Sequence, residues 1–201
     1  DKLSQGTYPG TNLVPNPGAE DGIEAWSLVV TGTGSAVLSS NTSQKASGSA
    51  SFRIFKSVLT DGQGWGCRAF PVIQGEAYAW KIKVRASSAS ASGFYLWAFS
   101  RAVKPTSGYV TGGSGADPYD DASSLINNGA VTTGWVEFTG TFAVPAGMYW
   151  LSIVVYDWYT LAASSLYFDD VQFGRQITAD FIAANAIAVG TAAIQNGAIV
   201  N

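Results

Sequence analysis

The 201-residue chain contains no histidine. Imidazole is the commonest general base and transition-metal ligand near neutral pH, so Ser-His and Cys-His nucleophilic arrangements are excluded. A single cysteine, Cys67, excludes an intrachain disulfide and any Cys-rich zinc site. It fits either a reducing cytoplasm or a secreted protein built without disulfides. Charge is scarce as well: 12% of residues are charged, against roughly 25% in a typical soluble domain. The net charge of −3 offers no basic field for nucleic acid or an anionic membrane. No apolar run approaches the roughly 20 residues of a membrane-spanning helix, so neither nucleic acid nor membrane insertion is expected. What remains is 47% hydrophobic and 13% aromatic, with 23 glycines. That is too apolar for disorder and long enough for one large β domain with an appendage. The opening stretch, Asp1 to Gly10, has neither an initiator Met nor a signal peptide, and the chain reads as a fragment or a processed product.

Composition divides the chain into three zones. Residues 1–11 read as a lead-in linker or strand, 12–175 carry all seven Trp, and 176–201 are dominated by Ala and Ile without Trp, Tyr or Pro. The middle zone has strand periodicity. From Tyr78 to Arg85, Tyr78, Trp80, Ile82 and Val84 alternate with Lys81, Lys83 and Arg85, the pattern of a half-buried strand. Val136, Phe138 and Phe142 alternate with Thr139 and Thr141 in the same way. Ser51 to Phe55, Phe94 to Arg101, Met148 to Trp158 and Leu166 to Phe173 are further strands, separated by Gly, Pro, Asn and Ser clusters. No amphipathic helix is legible before residue 176. The expected fold is all-β: a two-sheet jelly-roll sandwich over 12–175, followed by a short Ala/Ile-rich repeat stalk.

Four motifs, in this order, carry a resemblance. Asn12-Leu13-Val14-Pro15-Asn16-Pro17-Gly18-Ala19-Glu20-Asp21-Gly22 opens the zone, and Ser47-Gly48-Ser49-Ala50-Ser51-Phe52-Arg53 follows. Gly134-Trp135-Val136-Glu137-Phe138 comes next, and Leu166-Tyr167-Phe168-Asp169-Asp170-Val171-Gln172-Phe173 closes it. From Asn12 to Phe173 the chain resembles the jelly-roll carbohydrate-binding modules found beside xylanases and laminarinases, with a galactose-binding-like fold. The resemblance implies a structural Ca²⁺ held by Glu20 and Asp169 with backbone carbonyls near the Ser-Gly-Ser turn. Two carboxylates plus carbonyls suit a hard cation. Strand parity with Val171 and Phe173 also points Asp169 inward, where a carboxylate needs a cation or hydrogen-bond donors. Without metal, Asp169 would accept backbone hydrogen bonds or pair with Arg53.

Sugars are met by flat aromatic rings, and the candidates are set by parity. On Phe94 to Arg101 one of the sets Phe94/Leu96/Ala98 and Tyr95/Trp97/Phe99 must be core, and the other is free to line a groove. On Met148 to Trp158, Leu151, Ile153 and Val155 read as buried, leaving Trp150, Tyr156 and Trp158 outward. The expected glycan contacts are therefore Tyr95, Trp97, Trp150, Tyr156 and Trp158, beside Lys83 and Arg85. The alternative is that these rings are core or subunit interface. Enzyme signals are poor: the pairs Glu20-Asp21, Asp120-Asp121 and Asp169-Asp170 are adjacent on the chain, so on a strand their side chains point to opposite faces.

The tail repeats itself. Ile182-Ala183-Ala184-Asn185-Ala186-Ile187 recurs as Ile194-Gln195-Asn196-Gly197-Ala198-Ile199. Such a unit cannot bury its own apolar side and needs neighbouring copies. Ile177-Thr178-Ala179-Asp180-Phe181-Ile182-Ala183-Ala184 resembles the Ile-Thr-Ala-Asp-Lys-Ile-Ala-Ala repeats of tailed-phage tail-tip host-specificity proteins and central tail fibres, with Phe181 in place of Lys. The resemblance implies a homotrimer whose axis is filled by Ile177, Phe181, Ile182, Ile187, Ile194 and Ile199, in helical or extended form. A flexible Ala-rich linker, or a single helix docked on its own domain, is the alternative. Together these features imply a non-enzymatic phage or prophage tail component in the virion tail. Its partners would be itself, other tail proteins and a host-surface glycan or lipopolysaccharide. A secreted polysaccharide-binding module of a bacterial glycosidase, or a structural spacer, are the other readings.

Overall fold

The alternation from Tyr78 to Arg85 becomes the strand β7, Ala77–Ala86, with Ile82 and Val84 wholly buried and Lys81, Lys83 and Arg85 half-buried on its other side. The computed structural model describes residues 8–32, 36–56, 62–88, 90–113, 115–157 and 164–177. Among these, every element is a strand. The remaining strands are β1 (Tyr8–Pro9), β2 (Trp26–Val30), β3 (Val37–Asn41), β4 (Ser51–Lys56), β5 (Gln63–Cys67) and β6 (Phe70–Pro71). They continue with β8 (Ser90–Arg101), β9 (Asp121–Val131), β10 (Val136–Ala143), β11 (Trp150–Asp157) and β12 (Ser164–Ile177).

Two antiparallel sheets result. The first has the order β10-β7-β12-β4-β3 with β1 beside β12; the second has β2-β5-β11-β8-β9 with β6 beside β11. Sequence neighbours repeatedly fall in different sheets, so the chain crosses between layers and both sheets contribute to one core. Trp26, Phe52 and Phe168 cluster within it, with Phe52 stacked on Phe168 at 4.7 Å. Phe173 stacks on Tyr78 at 5.1 Å and meets Phe70 and Phe142. Each such ring contributes about 2–3 kcal/mol by burial.

The opening and closing motifs lie side by side. Asn12 donates from Nδ2 to the Val171 carbonyl and accepts at Oδ1 from the Phe173 amide, at 3.0 Å each. The Leu13 amide reaches the Phe173 carbonyl. Tyr8 and Pro9, in the lead-in zone, pair with Ile177 and Gln176, so β12 runs two residues past the compositional boundary. The stalk residues Phe181, Ile182, Ile187, Ile194 and Ile199 lie outside the described residues, as does Trp158.

One parity expectation needs correction. Leu166 and Phe168 share the core with Val171 and Phe173, which uniform alternation forbids. The register shifts between Asp169 and Gln172, and Asp170 takes a left-handed φ of 51°. This bulge changes the phase of β12. Asp169 is buried because the loop after β3 covers it, since the Ala46 and Ser47 amides donate to its Oδ2 at 2.8 and 3.1 Å.

Candidate functional site

The outer face of the second sheet carries the groove. On β8, Phe94, Leu96 and Ala98 enter the core, so Tyr95, Trp97 and Phe99 stand outside. On β11, Leu151, Ile153 and Val155 are core, and Val154 and Tyr156 face outward. Registry sets Tyr156 opposite Tyr95. Together with Val30, Tyr119, Ala122, Gly112 and Gly113, the residues Tyr95, Trp97, Phe99 and Tyr156 line an open groove of about 580 Å³. Among the described residues, no lining residue is charged.

Glycines decide how deep the groove is. Gly64 and Gly66 of β5 sit under Tyr156 and Val154. A Cβ on Gly64 would lie 2.9 Å from Tyr156 Cε2, and one on Gly66 would lie 2.9 Å from a Val29 methyl. Without side chains there, the Tyr156 ring lies down against the sheet and forms one side of the groove. Burial, with Tyr119 near, pushes the Tyr156 hydroxyl above its ordinary pKa, so it acts as a neutral hydrogen-bonding group. Tyr95 donates to Asn128 Oδ1 at 3.3 Å, which places an amide at the rim.

The other wall is the long connection between β8 and β9, and a single buried carboxylate anchors it. Asp117 receives Arg101 Nη1 at 2.6 Å, Thr106 Oγ1 at 3.0 Å and the Ser107 amide at 2.7 Å. The bonds from Ser107 and Thr106, led by the Ser107 amide, outweigh burial and hold its pKa well below the ordinary carboxylate range. Asp117 opens the acidic run Asp117-Pro118-Tyr119-Asp120-Asp121 and is nonetheless buried. The Thr111 amide meets the Asp117 carbonyl, and the Gly112 amide meets the Val29 carbonyl. Tyr119 thereby comes to lie 4.8 Å from the Phe99 ring.

Tyr95, Trp97 and Tyr156 are thus brought together, and the other expected contacts are not. Trp150 is on the same sheet face, but the loop crosses between: the Val110 amide donates to the buried Ser152 Oγ at 3.1 Å. Trp150 instead carries Lys104 Nζ 5.3 Å from its ring centre. Lys83 and Arg85 are on β7 of the first sheet, so they do not flank the aromatic face. Lys83 pairs with Asp170 at 2.7 Å, and that contact raises its pKa. Alternation along one strand sets its faces but not the sheet it joins, which is why this placement differs from expectation. Tyr119, Ala122, Val30 and the glycines were not legible as site residues. The one sequence signal for Tyr119 is an aromatic set within a turn-forming acidic loop.

The expected cation site has a definite geometry. Glu20 accepts from the Ser49 and Ala50 amides and from Ser49 Oγ, and these bonds lower its pKa. Asp169 accepts from Ala46, Ser47 and Asp170 amides, but burial outweighs them and raises its pKa. A Cβ on Gly18 would lie 2.8 Å from Asp169 Oδ1 and 3.6 Å from Glu20 Oε1. The two carboxylates therefore converge on one glycine, and neither has an ion pair among the described residues. No group of three or more Asp, Glu, His or Cys residues forms a metal cluster among them. The donors fit Ca²⁺ in type, with carbonyls and water needed to complete six to eight oxygens.

Comparisons with known proteins bear on this fold. No family model and no curated protein matches the sequence. Solved structures do. The enzymatically active domain of bacteriophage CBA120 tailspike protein 4 superposes with a TM-score of 0.61 at 15% identity, over 83% of this chain. The family 22 carbohydrate-binding and family 10 catalytic modules of Clostridium thermocellum endo-1,4-β-D-xylanase 10B, complexed with xylohexaose, give 0.57 at 14% identity over 83%. A family 16 carbohydrate-binding module gives 0.53 at 13% identity over 81% of this chain and 99% of its own. The sandwich is carbohydrate-binding-module-like. The chain spans 21% of the tailspike and 29% of the xylanase structure, and at these identities the likeness is one of fold.

Proposed function

We propose that this sandwich binds uncharged saccharide through the groove of Tyr95, Trp97, Phe99, Tyr119 and Tyr156. The observation that carries the reading is an open, aromatic, charge-free groove on the outer face of a carbohydrate-binding-module-like sheet. Sugar rings offer apolar C–H faces to such side chains. Tyr hydroxyls and Asn128 are available to the hydroxyl edge. The proposed role is attachment without catalysis, through a groove whose described lining holds no Asp, Glu, Lys or Arg. Affinity electrophoresis against neutral and acidic polysaccharides tests it. Retardation by a neutral polymer is expected, and mobility unchanged by every polymer contradicts the reading.

The setting we propose is a phage tail fibre or tail-tip component that meets the host surface, with avidity from three copies. Support comes from the Ile177–Ala184 repeat wording and the similarity to a phage tailspike domain. The similarity to xylanase-associated modules favours a second reading, a secreted polysaccharide-binding module. Light scattering separates the two: three protomer masses of 21.0 kDa supports the fibre, and one protomer mass favours the secreted module. We also propose that Glu20 and Asp169 hold a structural Ca²⁺. Thermal unfolding with Ca²⁺ or chelator tests this. Ca²⁺ should raise Tm in the native chain and not in Glu20→Gln, and equal Tm values in the native chain would refute it.

A further inference from the structure

The outer face of the first sheet bears the charge that the groove lacks. Register across β4, β12 and β7 sets Arg53, Tyr167 and Arg85 in one row. Side chains opposite one another in neighbouring strands share a face, and two strand spacings separate the arginine Cα atoms by about 10 Å. Both guanidinium side chains are half-buried. Lys81, Lys83, Arg101 and Arg175 each meet a carboxylate. Neither arginine of the row does so among the described residues.

Their partners are neutral instead. Arg53 Nε donates to Ser165 Oγ at 2.8 Å, and its Cζ lies 4.8 Å from the Phe55 ring centre. Arg85 donates from Nη1 to the Gln44 side-chain oxygen, and its Cζ lies 5.8 Å from the Tyr167 ring centre. Arg85 Nε is buried with no acceptor. A guanidinium carries five N–H donors and cannot be discharged. These two are oriented by hydroxyl, amide and aromatic faces, yet among the described residues neither charge meets an anion. In a chain where only 12% of residues are charged, two such cations stand in one row with their orientation fixed by neutral partners. Of the nearby carboxylates, Asp170 and Glu137 are engaged by Lys83 and Lys81, and Asp169 by the Ala46, Ser47 and Asp170 amides.

We infer that the Arg53–Tyr167–Arg85 row is a second binding site, separate from the groove, for a ligand bearing a carboxylate or phosphate oxyanion. Planar guanidinium forks match both groups. The site is independent of the saccharide reading, because no residue is shared and the two lie on opposite sheets.

The test is NMR observation of the five arginine Nε–H signals of the full chain during titration. Trigalacturonate supplies the carboxylate arm, mannose 6-phosphate the phosphate arm, and sodium chloride the control for bulk ionic strength. Saturable shifts confined to Arg53 and Arg85 are expected, and the arm that produces them identifies the oxyanion. Arg53→Gln and Arg85→Gln should each weaken binding by about tenfold or more, as expected for loss of a charge-assisted bond. Trp97→Ala should leave this binding unchanged. Absence of saturable shifts in both arms overturns the inference, and so does an equal response of all five arginines. The reading on the native chain stands whether or not either variant folds.

Discussion

Gly64 is the sharpest lever on the groove, because its missing side chain sets where Tyr156 lies. In Gly64→Ala the new methyl would meet Tyr156 Cε2 at 2.9 Å, Tyr156 Cζ at 3.0 Å and a Val154 methyl at 3.1 Å. Ordinary contact between carbons begins at about 3.5 Å, so the ring must lift by several tenths of an ångström. Overpacking of this kind costs about 1–3 kcal/mol. Replacing a strand glycine by alanine returns about 0.5–1 kcal/mol of conformational entropy. The net expectation is a loss of about 1 kcal/mol, which lowers Tm by about 2–4 °C for a domain of this size. Gly113 lines the same groove, and a Cβ there would meet nothing within 4 Å, so Gly113→Ala should be neutral or slightly stabilising. Urea unfolding and differential scanning calorimetry measure both variants. A Gly64→Ala protein as stable as Gly113→Ala, with an unchanged near-ultraviolet tyrosine signal, would refute the packing of Tyr156 over the glycine.

Asp117→Asn should loosen the wall between β8 and β9, seen as faster hydrogen exchange at the Ser107 and Thr111 amides. Unchanged protection would mean that Asp117 is not the anchor. The same group predicts a pH dependence. Its folded pKa lies below the ordinary carboxylate value, so its stabilisation is complete above that value and is lost as pH falls through the lowered one. Loss of wall protection on acidification, absent in Asp117→Asn, is the expected signature. Cys67 is fully buried, and desolvation pushes its thiol up to about 12. It should resist a thiol reagent at pH 8 in the folded protein and react at once in denaturant. Prompt reaction in the folded state would contradict its burial.

Strands with strict alternation were legible because each side chain reports its own face. β7, β8, β10 and β11 are of this kind, and the outward placement of Tyr95, Trp97 and Tyr156 follows from it. β5 was hidden because Gly64 and Gly66 occupy its outer face, so half the periodic signal is missing. β9 was hidden because Asn127-Asn128-Gly129 resembles a turn. In the fold Asn128 takes a φ of 58° at an irregular pairing with β8. The bulge at Asp170 reversed the parity of β12 for a similar reason, since one left-handed residue leaves no periodic trace. The grouping of the site depends on longer-range facts. Strand order separates Lys83 and Arg85 from the aromatics, and the Val110–Ser152 contact separates Trp150 from Tyr156. The side-chain bonds of the Asp117 anchor reach 10 to 16 residues back along the chain, and an Asp in a Gly- and Asp-rich loop does not announce such an anchor.

The central claim is that the aromatic groove receives a neutral sugar, and Trp97 is its most direct reporter. The indole N–H signal of Trp97, assigned by loss in Trp97→Phe, should shift saturably when a neutral oligosaccharide from the retarding polymer is added. The Arg53 and Arg85 signals should remain still. Binding that shifts other tryptophans and leaves Trp97 unmoved would place the sugar elsewhere and contradict the account.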